Sequence, residues 1–114
     1  MTSAKEILST TAAEQITSGL VELITVRRYE RFAGAMLAAD DDHRLMMEDV
    51  RVDAMTHLWS WTTWAGGRIS DTKVTSDEST ARTAVQDWLA EAPLVEREPG
   101  RDIFALILVE EDWR

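Results

Sequence analysis

Apolar residues recur at helical spacing most plainly between about residues 77 and 91, where Ala81, Val85, Trp88, Leu89 and Ala92 share one arc with Ala84 beside them. Thr75, Ser76, Asp77 and Glu78 offer a hydroxyl cap with an acid three residues after Thr75. That is the pattern of a capping box, and it sets two acids where the helix dipole is positive. Glu78 and Arg82 stand one turn apart, and Pro93 stops the helix by pushing its predecessor out of the α region. A capped helix near 77–91 is predicted.

Residues 103–109 are seven consecutive apolar side chains, preceded by Pro99 and Gly100 and followed by Glu110, Glu111 and Asp112. A helix there would place three carboxylates at its negative end. A strand near 103–109, covered on both faces, avoids this penalty and suits the length and β-branched content. Trp113 then lies just past the strand end, placed to cap the core or touch a partner.

Trp59 to Trp64 is rich in strand formers, and Gly66-Gly67 followed by Arg68 to Val74 reads as a hairpin with a Gly-Gly turn. On a strand, Trp59 and Trp61 share one face with Thr63, while Trp64 shares the other with Leu58. Upstream the pattern fits two elements. Val50, Val52 and Ala54 alternate with Arg51 and Asp53 as in a strand, yet a helix from Asp42 to about His57 puts Leu45, Val52, Met55 and Trp59 on one arc. Residues 20–39 share this ambiguity, and residues 3–17 read as helical through Ile7, Leu8, Ala12 and Ile16. The sum points to a single α+β domain over residues 1–114 with a mainly antiparallel sheet; the alternative is an all-α bundle.

Composition narrows the function. Twenty-one acids against twelve bases give a net charge of −9 in 114 residues. The acidity is local: residues 1–39 are neutral overall, while residues 40–58 carry −4 and residues 76–114 carry −6. Such a field disfavours nucleic acid and anionic membranes and favours a basic protein partner, although charges of this size also serve solubility alone. The chain has no cysteine, which excludes disulfides, thiol nucleophiles and Cys-based metal sites. Neither a signal-peptide core nor an apolar run of membrane-spanning length is present, so a cytoplasmic location without membrane association is expected.

Asp40, Asp41 and Asp42 beside His43 have the chemistry of a divalent-cation site. They lack the glycine and glutamate spacing of an EF-hand, and aspartate runs also start turns. In the helical version of the middle, Asp49, Asp53 and His57 form a polar stripe, which simple exposure also explains. Arg27, Arg28, Tyr29, Glu30, Arg31 and Phe32 have the texture of a nucleic-acid contact, but intramolecular pairing with the abundant acids accounts for them better. No nucleophile elbow or phosphate loop is present.

The reading that results is a small, acidic, non-catalytic protein-binding or inhibitor-type protein without a cofactor, whose simplest form is a homodimer. Its expected contact residues are Trp59, Trp61, Trp64, Trp113, Asp40, Asp41 and Asp42. Two alternatives stand beside it: an acidic mimic of nucleic acid, and a small metal-binding domain or enzyme using Asp40, Asp41, Asp42 and His43.

Overall fold

The computed structural model describes residues 2–26 and 32–95. Two short helices, α1 (Ala4–Thr11) and α2 (Ala13–Thr17), precede five strands, β1 (Glu22–Thr25), β2 (Phe32–Ala38), β3 (Arg44–Arg51), β4 (His57–Ala65) and β5 (Arg68–Thr75). Helix α3 (Glu78–Glu91) follows them. The strands form one antiparallel meander in the order β1-β2-β3-β4-β5. The architecture is α+β, and the all-α alternative is overturned.

The register decides which side chains face the helices. Ala35 pairs with Met47 and Met47 with Trp61, while Leu37 pairs with Leu45 and Leu45 with Thr63. Because side chains alternate along a strand, this inner face carries Ala35, Leu37, Leu45, Met47, Trp59 and Trp61. All six are buried in one core with Ile7 and Leu8 of α1 and Ala81, Val85 and Leu89 of α3. The helix drawn from Asp42 to His57 does not form. Of its apolar arc, Leu45 and Trp59 serve the sheet instead, each with cross-strand partners on both sides that an isolated helical arc could not offer, while Val52 and Met55 fall in the β3–β4 turn.

Several local expectations are corrected at the ends of elements. The cap of α3 is the Asp77 carboxylate, which accepts the Thr80 backbone N–H at 3.1 Å; the Thr75 hydroxyl turns the preceding chain by accepting the Asp77 N–H at 3.0 Å. Glu78 and Arg82 do pair, at 3.1 Å. Val52 and Ala54 lie in the β3–β4 turn rather than in a strand, and Asp53 orders that turn by accepting the backbone N–H groups of Met55 and Thr56. The segment 3–17 is helical but broken at Ala12. Gly66 and Gly67 both have positive φ, +60° and +74°, as a tight two-residue hairpin turn demands. The strand expected near 103–109 and the side chain of Trp113 lie outside the described residues. Among the described residues, no helix is long and apolar enough to cross a membrane.

Candidate functional site: a groove between the last helix and the sheet edge

Helix α3 sits against β4 and β5 and leaves a groove of about 670 Å³. Its construction follows from two periodicities. Along β4, alternation brings Trp61 and Thr63 to the inner face. Along α3, Ala81, Val85 and Leu89 enter the core, so the neighbouring positions Ala84 and Trp88 wall the groove and Thr83, Asp87 and Glu91 reach its rim. Strand β5 supplies Asp71 and Lys73, which stand opposite Thr63 and Trp61. A register shift at Thr63/Trp64 brings Trp64 and Ser70 to the far end.

The floor and wall are aromatic, since Trp61 and Trp88 both line the space. The rim is acidic, with Asp71, Asp87 and Glu91 against Lys73. Lys73 Nζ lies 3.6 Å from Asp71 Oδ2, and both side chains are more than half exposed, so this pair is readily exchanged for a partner's charges.

The residues expected from the sequence are dispersed. Trp61 and Trp64 line the groove. Trp59 is buried, donates its indole N–H to the Thr2 carbonyl at 3.0 Å and packs against His57, so it anchors the N-terminal segment rather than presenting a surface. Trp64 lies on the opposite sheet face from Trp59 and Trp61, as its position on a strand requires, with the Arg44 guanidinium 5.0 Å from its ring centre.

Asp40, Asp41 and Asp42 form the β2–β3 turn. Asp40 Oδ1 accepts the backbone N–H groups of Asp42 and His43, both at 2.8 Å, and lies 2.9 Å from His43 Nδ1. Partial burial opposes the charged form of Asp40, but the His43 ring and the two N–H donors outweigh it and hold the carboxyl below the usual range. Asp40 Oδ1 is therefore committed to the turn. Among the described residues, no group of three His, Asp or Glu side chains is arranged to hold a metal ion. The turn meets the Gly66-Gly67 hairpin, where the Gly67 N–H points to the Asp42 carbonyl at 3.5 Å, and His43 closes that end of the groove.

Sequence reasoning missed Trp88, Asp87, Glu91, Asp71 and Lys73 as site residues. Trp88 had a signal, since it lies on the α3 apolar arc, but nothing local indicated what it would face. No protein-family model, curated protein or solved structure matches the chain.

Proposed function

We propose that the protein is a small, acidic, non-catalytic binding module of inhibitor type that takes a basic, partly apolar segment of another protein into the groove between α3 and β5. The observation that carries this reading is the pairing of two tryptophans, Trp61 and Trp88, with a rim of three carboxylates and one lysine. Tryptophans in a recessed site are where interface energy concentrates, and the carboxylates would steer and orient a cationic partner. A homodimer, with one copy's basic side chains entering the other's groove, is the simplest version.

The nucleic-acid mimic has less support. It needs carboxylates free on one face, yet Asp40 is held in its own turn, Asp49 accepts the N–H of Ala4, and Asp77 caps α3.

Titration with a synthetic peptide of alternating arginine and leucine, followed by tryptophan fluorescence, tests the proposal. Trp88→Ala is expected to weaken binding about tenfold or more, as for an interface anchor worth roughly 2 kcal/mol. Equal affinity of the unmodified chain and Trp88→Ala, with the fold of both confirmed by circular dichroism, would overturn it. Light scattering on the chain alone reads the homodimer version.

A further inference from the structure

Among the described residues β5 pairs on one side only, with β4. Nearly its whole length is exposed, and Ile69 and Val74 are 63% and 62% accessible. An edge of this kind carries N–H and C=O groups that its own sheet does not use. Thr72 shows which ones they are. Its backbone N–H donates to Asp71 Oδ1 at 2.9 Å, a side-chain acceptor on its own strand, whereas an N–H turned toward β4 would bond across the ladder. Backbone groups along a strand point alternately to one neighbour and the other, so Val74 presents its N–H and C=O on the same free side as Thr72.

This free side is short. Asp71 pairs with Thr63 and Ile69 with Trp64, so Ser70 has no opposite residue and bulges the strand. Regular edge remains over residues 71–75. Its two faces differ in chemistry, because residues opposite one another share a face. Asp71 and Lys73 lie with Thr63 and Trp61 on the groove side, while Val74 lies with Ser60, and Ile69 with Trp64, on the outer side. Asp87 and Glu91 of α3 border the same groove, so its rim is acidic against the single Lys73. An extended segment laid along β5 meets this acid with one set of alternate side chains and the exposed Ile69 and Val74 with the other. A helix laid there would match neither the alternation nor the free backbone groups.

We propose that the partner segment enters as an added strand on β5. Its basic side chains alternate toward the groove, its apolar ones lie beside Ile69 and Val74, and its backbone bonds to Thr72 and Val74. This rests on the groove being the binding site and adds the conformation and side-chain order of the ligand. Pairing β5 with β5 of a second copy fits less well, because each copy brings its own Asp71, Asp87 and Glu91 to the junction.

The test uses an octapeptide of alternating arginine and leucine and two N-methylated forms of it, one methylated at every leucine and one at every arginine. In an added strand only one set of alternate N–H groups faces β5. One form is therefore expected to lose affinity about tenfold or more, and the other to stay within about threefold of the parent peptide. Equal affinity of the two forms, whether both bind or neither does, overturns the proposal.

Thr72→Pro places the strand, since proline removes the edge donor and is tolerated where the N–H faces away from the ladder. With its fold checked by circular dichroism, this variant should bind the parent peptide about tenfold more weakly; unchanged affinity overturns the proposal. Should Thr72→Pro fail to fold, exchange of the Thr72 and Val74 amide protons in the unmodified chain decides. Saturating peptide should slow both about tenfold, and unchanged exchange overturns the proposal. A chain that is dimeric by light scattering and monomeric as Thr72→Pro has a second copy on this edge, which also overturns it. Trp88→Ala separates this inference from the groove. Weakened binding of the parent peptide together with equal affinity of the methylated forms removes the added strand alone, whereas undiminished binding, or no binding by the unmodified chain, removes both.

Discussion

The Asp49 carboxylate, on the inner face of β3, accepts the backbone N–H of Ala4 at 2.7 Å and so ties the first turn of α1 to the sheet. The donor is one of the N–H groups that a helix cannot satisfy internally, and the negative charge sits at the positive end of the helix dipole. Ser3 caps the same turn by accepting the Glu6 N–H. Trp59 reaches the Thr2 carbonyl from the neighbouring strand, so β3 and β4 together fix the N-terminal segment.

Removing this tie should be costly. Asp49→Ala leaves the Ala4 N–H without its charged acceptor in a part-buried setting and is expected to lower unfolding free energy by about 1.5–3 kcal/mol. Urea unfolding followed by far-ultraviolet circular dichroism measures it. Asp49→Asn, which keeps a neutral acceptor, should lose less.

Core and surface methionine and leucine positions should separate sharply. Leu37 is fully buried between Leu23 and Leu45, and Leu37→Ala is expected to cost about 2–5 kcal/mol. Met55, in the β3–β4 turn, should tolerate alanine within about 0.5 kcal/mol. Thermal unfolding of both variants under one buffer provides the comparison.

Acid should weaken the capping of α3. The side-chain hydroxyl and then the backbone N–H of Thr80 hold the Asp77 carboxyl below its usual range. Its contribution is therefore fully present above about pH 4, the unfolded aspartate value, and is lost as pH falls through the lower folded value. Asp40 and Asp53 are shifted in the same direction, and Glu78 is lowered by the Thr2 hydroxyl and then by Arg82. Asp77→Ala should lower the melting temperature by a constant amount between about pH 7 and pH 5. The difference should shrink below about pH 4.

Groove binding should depend on salt and on the sign of the rim. Raising ionic strength toward about 1 M contracts the screening length to roughly 3 Å and should weaken a basic peptide markedly. Asp87→Lys with Glu91→Lys reverses the α3 side of the rim and should abolish fluorescence-detected binding while leaving the melting temperature close to that of the unmodified chain. Both side chains are exposed. Salt-insensitive binding, or full affinity after charge reversal, would place the contact elsewhere.

The sequence by itself determined the elements whose signals are local. The arc from Ala81 to Leu89, with Pro93 beyond it, specifies α3, and Gly66-Gly67 between β-rich segments specifies the last hairpin. Once Trp59 to Trp64 is extended, two-residue alternation sends Trp59 and Trp61 to one face and Trp64 to the other. Only the tertiary structure decided between helix and strand for residues 42–57, because Val52 fits both the alternation with Val50 and Ala54 and the helical arc with Leu45, Met55 and Trp59, and strand pairing is chosen by partners distant in sequence. The same holds for Asp49 and His57. Read as a helical stripe they included Asp53, but antiparallel pairing brings Asp49 Oδ2 to 4.0 Å from His57 Nε2 and leaves Asp53 in the turn. The groove was equally hidden. Trp61 and Trp88 lie on elements whose individual periods say which way each side chain points, while what they enclose depends on how α3 packs on the sheet, a property of long-range packing that no local pattern contains.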